Sequence, residues 1–301
     1  VLQQAEFTCL RYQLMRFPAQ QSLVGNIPHS GTLLAMARWE LLATVVEHRR
    51  RAPDQYELIL HAPPIAETAQ PGQFVLVRPL EVHAPLLRRP YSILRANADK
   101  GIISLFYAVR GTFTELLSMK PVGSSIRLLG PLGNWFQPVR GVQRHILVAG
   151  GSGAPPLCFF ASRLAPSLRA DERIVILMGA RRRDLLVGLD EFRALGAEVY
   201  VATEDGSQGY AGRVTDLLEQ QLQEPTPSAV YACGPNGMLK FVAKTCIERG
   251  VPCYVSVEAP MPCGVGACYG CAVRIALPGG AWFRRACTEG PIFRAEEVLW
   301  E

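Results

Sequence analysis

Near residue 144 the chain changes rhythm, and that change restricts its fold more than any other feature. From 38 to about 138, short β-prone runs alternate with turn signals. The runs are Arg38–Val46, Tyr56–Leu60, Gln73–Arg78, Tyr91–Arg95, Ile102–Val109 and Ser125–Leu129. Between them stand Ala52-Pro53-Asp54, Pro63-Pro64, Gln70-Pro71-Gly72, Ala98-Asp99-Lys100-Gly101 and Pro131-Leu132-Gly133-Asn134. Six strands so spaced predict an antiparallel six-stranded β-barrel, interrupted by one helix from Thr112 to Met119. Beyond 144, strands at His145–Ala149, Ile174–Met178, Glu198–Ala202, Ala229–Ala232 and Tyr254–Val257 alternate with helices. Those helices are Pro155–Leu164, Leu189–Leu195, Thr215–Gln223 and Met238–Arg249. Such alternation predicts a Rossmann-like parallel sheet covered on both faces. Residues 258–301 return to loop, cysteine and short strand.

The expected organisation is an N-terminal extension over 1–37, a barrel domain over 38–140, a nucleotide domain over 141–257 and a cysteine-bearing subdomain over 258–301. At ~150 residues per domain, 301 residues allow about two sizeable cores. The first 35 residues show no sustained period, and orderly patterning starts at Met36. Met36 is therefore read as the natural start, with a poorly ordered but genuine tail as the alternative.

A hydrophobic share of 49% rules out disorder, and 27 glycines rule out collagen. The net charge of +5 is scattered. Arg49–Arg51, Arg88–Arg89 and Arg181–Arg183 are too short to be nucleic-acid arms, whereas an anionic cofactor accounts for such arginines. The apolar stretch from Ile146 to Ser162 carries Gly150, Gly151, Gly153 and Pro155-Pro156, so no membrane span is expected. The start of the chain lacks the pattern of a secretory signal. Nine cysteines, an odd number with four in the last 40 residues, point to a metal site in a reducing cytoplasm.

Those four carry the strongest signal. Cys263-x4-Cys268-x2-Cys271, then Cys287 after 15 residues, is the plant-type [2Fe–2S] spacing. A tight loop wraps three thiolates around a cluster, and the fourth arrives from another strand. Gly264, Gly266, Ala267 and Gly270 keep the loop bare, so amide N–H groups can reach the sulfurs and raise the reduction potential. The alternative is structural zinc, although only one C-x2-C is present. Cys9, Cys158 and Cys246 read as buried or tail residues, and Cys253 is left unassigned.

Four further motifs suggest nucleotide cofactors. Arg89-Pro90-Tyr91-Ser92 opens a barrel strand with a cation for a pyrophosphate, a ring and a hydroxyl donor. Gly111-Thr112 opens a helix whose free N–H groups can receive phosphate. Gly150-Gly151-Ser152-Gly153-Ala154-Pro155 joins a buried strand to a helix, and Cys233-Gly234-Pro235-Asn236-Gly237-Met238 ends another parallel strand, where ligands bind. Three of them have a plain reading as well: an edge strand for Arg89–Ser92, a strand-to-helix turn for Gly150–Pro155, and a buried cysteine before a turn for Cys233–Met238.

Taken in order, these pieces resemble the ferredoxin–NADP reductase superfamily over roughly 38–301. Within it the chain is most similar to electron-transfer subunits of the NAD-dependent, two-subunit dihydroorotate dehydrogenases. That similarity rests on Arg88-Arg89-Pro90-Tyr91-Ser92-Ile93, Leu129–Asn134, Thr203-Glu204-Asp205-Gly206-Ser207, Ser256-Val257-Glu258 and Cys287–Phe293. The segment between Tyr107 and Gly111 is shorter than the family pattern.

The resemblance implies a barrel that binds FAD through Arg89, Pro90, Tyr91, Ser92, Tyr107, Gly111 and Thr112. It implies NAD binding by Gly150, Gly151, Gly153, Pro155, Cys233, Gly234, Pro235 and Met238, with Ser92 and Cys233 at the reacting rings. Arg181–Arg183 keep NADP open, against the reading of a solvated basic turn. Cys263, Cys268, Cys271 and Cys287 would hold the [2Fe–2S] cluster. An FMN-containing catalytic subunit is the implied partner, in a two-plus-two heterotetramer serving pyrimidine biosynthesis. Reductase subunits for a hydrogenase, sulfite reductase or oxygenase share the architecture, and a zinc-stapled binding module is the non-catalytic alternative.

Overall fold

The computed structural model describes residues 38–79 and 85–300. The expectations for residues 1–35 lie outside the described residues.

The first half is a closed antiparallel barrel. In chain order it comprises β1 (Trp39–Ala52), β2 (Gln55–His61), α1 (Pro63–Thr68), β3 (Phe74–Pro79), β4 (Arg89–Asn97), β5 (Ile102–Ala108), α2 (Thr112–Ser118) and β6 (Ser125–Leu132). The strands close in the order β1-β2-β5-β4-β3-β6. Period-2 alternation sends Ala43 and Val45 inward and leaves Leu42 and Val46 exposed. Leu58, Leu60, Val75, Val77, Ile93, Ile103, Leu105, Ile126 and Leu128 fill the interior. Helix α1 departs from the sequence expectation of a turn at Pro63-Pro64. A proline in the first helical turn sacrifices no needed N–H, and Ile65 and Ala66 behind it are buried in the barrel core.

The second half runs β7 (Arg144–Gly150), α3 (Ala154–Leu164), β8 (Arg173–Ala180), α4 (Leu189–Ala194), β9 (Glu198–Thr203), β10 (Tyr210–Ala211), α5 (Val214–Gln221), β11 (Ser228–Cys233), α6 (Asn236–Glu248) and β12 (Cys253–Ser256). Then follow the hairpin β13 (Ala272–Leu277) and β14 (Gly280–Arg285), and β15 (Ile292–Arg294). The sheet has seven strands in the order β10-β9-β8-β7-β11-β12-β15. All its pairs are parallel except β12 with β15. The cysteine-bearing segment thus returns an edge strand to the sheet, which its loop-like sequence did not announce. Phe159 of α3 reaches into the barrel core, tying the halves together. No helix among the described residues is long and apolar enough to cross a membrane.

Candidate iron–sulfur, flavin and nucleotide sites

The chain leaves β12 at Ser256 and forms the loop with Cys263, Cys268 and Cys271. The hairpin β13–β14 then brings it back to Cys287. Cys271 and Cys287 are buried, Cys263 is half-buried and Cys268 is exposed. The thiols meet as two pairs, Cys263 with Cys268 and Cys271 with Cys287. Among the described residues no three metal-ligating side chains close on one point. Two pairs fit a two-iron rhomb, in which each iron takes two thiolates, better than the single tetrahedron of zinc.

The electrostatics fit as well. Burial works against ionisation of Cys263, but the N–H groups of Cys268, Val265 and Ala267 and the neighbouring thiol outweigh it and pull its pKa down to about 6. Cys287, desolvated and beside Cys271, is pushed up to about 12. Gly264 turns the loop with φ +68, and a Cβ there would come 2.5 Å from Leu76 Cδ1. Only glycine lets the loop settle so closely on β3.

Leu76 connects this loop to the flavin motif. Across β3–β4 it pairs with Pro90, while Val77 pairs with Arg89, Val75 with Tyr91 and Phe74 with Ser92. Tyr91 lies 6.1 Å from Tyr107 and 6.3 Å from Phe113, ring centre to ring centre. The Arg89 guanidinium sits 5.5 Å over the Phe113 ring. Its Nη1 donates only to the carbonyls of Leu87 and Arg88, and no carboxylate pairs with it among the described residues. An exposed cation of that kind suits an anionic cofactor. Burial raises the phenol pKa of both Tyr91 and Tyr107, and His48 Nε2 lies 2.7 Å from Tyr107 Oη. At the start of α2, Thr114 Oγ1 accepts from the N–H groups of Arg110 and Gly111, leaving Thr112 exposed.

The two nucleotide-type motifs interlock at the carboxyl ends of β7 and β11, which are neighbours with Ala149 opposite Cys233. A Cβ on Gly153 would strike the Cys233 carbonyl oxygen at 2.1 Å, and one on Gly150 would strike Met238 Sδ at 2.6 Å. A Cβ on Gly234 would come 2.7 Å from Met238 Cε and 3.0 Å from Gly150 Cα. Pro155 stands in the first turn of α3, and Pro235 precedes α6. The Cys233 thiol is buried, which pushes its pKa up to about 12 despite a hydrogen bond with Ser256, so it is a neutral thiol at physiological pH. Arg181, Arg182 and Arg183 are exposed after β8. Arg182 is paired with Asp184 at 2.9 Å, while the Arg183 N–H donates to Ser207 Oγ at 2.9 Å. Cys253 packs on Cys246.

The profile of the iron-sulfur cluster binding domain of dihydroorotate dehydrogenase B matches residues 258–299, and that of the oxidoreductase NAD-binding domain matches residues 147–244. The dihydroorotate dehydrogenase B (NAD(+)) electron transfer subunit of Desulforamulus reducens is 40% identical over 251 residues, covering 83% of this chain and 94% of its own. This chain belongs to that family. The subunit of the same name from Geobacillus thermodenitrificans is 41% identical over 261 residues, covering 85% of this chain and 97% of its own. Among solved structures, an NADH-dependent reduced ferredoxin-NADP oxidoreductase described for flavin-based electron bifurcation superposes with TM-score 0.75 at 34% identity. It covers 86% of this chain and 90% of that one. A ferredoxin NADP+ reductase from Neisseria gonorrhoeae with bound FAD and NADP shares the fold, with TM-score 0.59 at 18% identity over 74% of this chain and 95% of that one.

For an electron transfer subunit, two features beyond the motifs are notable. Buried Glu57 on β2 binds Arg51, Arg95 and Ser104, and the same two arginines reach Glu191 on α4. Beside them a cleft of about 490 Å³ opens between barrel and α4, lined in part by Arg51, Phe106, Arg183 and Glu191. Glu57 occupies an ordinary strand position, so no spacing rule singles it out.

Proposed function

We propose that this chain is the electron-transfer subunit of a two-subunit dihydroorotate dehydrogenase, accepting reducing equivalents from an FMN-containing catalytic partner and delivering them to NAD. One observation carries the reading: the cysteine loop, whose thiols pair with one another and with Cys287, rests on β3, the strand that hydrogen-bonds the Arg89–Ser92 motif, in a chain that also holds the nucleotide loop. When bound, the [2Fe–2S] group and FAD supply the exchange between single electrons and a hydride.

The chain's own residues supply placement. Cys263 and Cys268 hold one side of the cluster, Cys271 and Cys287 the other. Ser92 donates to the flavin near its reactive edge, Arg89 balances the pyrophosphate, and Pro90, Tyr91 and Tyr107 shape the cofactor's bed. Gly111 and Thr112 face phosphate. Gly150, Gly151, Gly153 and Pro155, with Gly234, Pro235 and Met238, cradle the dinucleotide, and neutral Cys233 lies beside the nicotinamide. The partner docks on the cluster side, where Val265 and Tyr269 of the cysteine loop and Trp282 and Phe283 of the β13–β14 hairpin stay exposed. The expected assembly is two copies of each subunit, acting in the cytoplasm.

A second reading has its own support. The 34% identity to the NADH-dependent ferredoxin-NADP oxidoreductase structure also suits a reductase subunit of another redox system. Anaerobic purification decides between them. About two irons and one FAD per chain, with NADH formation from dihydroorotate only after a co-purifying FMN chain is added, support the proposal. Zinc in place of iron, or a partner without FMN, overturns it.

A further inference from the structure

Thr288 directly follows Cys287, and its Oγ1 is a buried hydroxyl oxygen with no hydrogen-bond partner among the described residues. No other serine, threonine or tyrosine hydroxyl of the described residues is left so. A buried hydroxyl without a partner destabilises a fold, so a fold keeps one where something else accepts its proton.

Its surroundings say what that is. The backbone N–H of Thr288 is fixed on the Arg285 carbonyl at 3.1 Å, which sets where the side chain starts. The side chain then lies against the face of Gly266, where an added Cβ would be 3.2 Å from Cγ2 and 3.4 Å from Oγ1. The Gly266 N–H in turn binds the Cys287 sulfur. The hydroxyl and a cluster thiol therefore share one neighbour on the cluster loop. Among the described residues no oxygen or nitrogen accepts from this hydroxyl, and sulfur is what the loop gathers.

We propose that Thr288 is a positioning residue whose hydroxyl donates a hydrogen bond to a sulfur of the [2Fe–2S] group. The inference rests on the cluster reading given above. An O–H dipole aimed at sulfur stabilises the reduced, more negative state, so Thr288 raises the reduction potential.

The test uses the full chain, purified anaerobically with its cofactors, as wild type, Thr288→Val, Thr288→Ala and Thr288→Ser. Iron, sulfide and flavin contents are measured first, then the cluster is titrated against solution potential by electron paramagnetic resonance. The valine variant keeps the shape and removes the donor. Its reduced-to-oxidised ratio at the wild-type midpoint is expected to fall about tenfold, equivalent to about 59 mV for a one-electron couple. Serine restores the donor and returns the midpoint to within about a third of that shift. If valine disturbs packing and loses iron, alanine, which cannot overpack, carries the test. A wild-type midpoint in an iron-replete valine or alanine variant overturns the proposal. So does a serine variant shifted as far as valine, which would assign the effect to the methyl group. Zinc in the wild-type chain is a separate outcome, because it removes the cluster itself.

Discussion

The carbonyl of Cys233 lies directly against Gly153, so close that a Cβ on Gly153 would sit 2.1 Å from its oxygen. Two loops from neighbouring parallel strands are thereby locked back to back. Gly153→Ala must push them apart, and a displacement of about 1 Å at a bound cofactor can cost on the order of 100-fold. The expected result is a fall of about tenfold or more in kcat/KM for NADH-dependent dye reduction, with FAD content unchanged. An unchanged kcat/KM for NADH would mean that the interlock does not shape the dinucleotide site.

Cys271 and Cys287 are the buried thiol pair of the proposed cluster site. Cys271→Ser is expected to lose iron and sulfide while keeping FAD, because the flavin motif lies on the far side of β3. Metal and flavin analyses of the same preparation check this. Loss of flavin with iron unchanged would contradict the assignment of the two segments.

Much of this arrangement was legible in the sequence. The proposed cluster ligands are suggested by spacing, and the structure brings Cys263 beside Cys268 and Cys271 beside Cys287. The barrel-to-sheet transition followed from periodicity, which local sequence encodes. The missing parts are those set by tertiary partners. Pro63-Pro64 serves a turn as well as a helix start, and burial of Ile65 and Ala66 selects the helix. Ile292–Arg294 is too short to show a strand pattern, and becomes one because β12 offers a free edge. Glu57 gives no hint in its own neighbourhood of Glu191, which lies on another element.

Ser92 stands opposite Phe74 on β4 at the mouth of the proposed flavin bed. Removing a single donor to a flavin atom while retaining the barrel should cost about 1–1.5 kcal/mol, or about tenfold in rate. Ser92→Ala is therefore expected to slow NADH-dependent dye reduction by that factor and bind FAD almost normally. An unchanged rate would remove Ser92 from the site.

His145 is buried in β7, with its Nδ1 3.5 Å from Tyr231 Oη, and desolvation lowers its pKa despite the pull of Glu172. The unfolded chain takes up this proton near pH 6.5, whereas the folded chain resists until lower pH. Stability therefore falls as pH drops below about 6.5 and levels off below the folded pKa. Urea midpoints at pH 7.5 and 5.5 should differ less in His145→Asn than in wild type. Equal pH differences in the two proteins would exclude His145 as a source of acid sensitivity.

Glu57 is only 1% exposed in its side chain, yet it carries the contacts of Arg51 and Arg95 and accepts from Ser104 Oγ at 2.6 Å. Glu191 on α4 shares the two arginines, at 2.7 Å and 3.5 Å. Removing one partner of a fully buried ion pair costs about 3–5 kcal/mol. Here the arginines are 34% and 42% exposed, so they can turn to water when Glu57 is neutral, and the cost drops. Glu57→Gln is expected to destabilise by about 2 kcal/mol, the worth of a charge-assisted bond. Glu191→Gln removes the more exposed acid and should cost about half as much. Thermal midpoints of the flavin-loaded chain check the order. A larger loss in Glu191→Gln would place the main energetic link on α4 rather than inside the barrel, and would make the contact between barrel and sheet, not the barrel alone, the element that Glu57 supports.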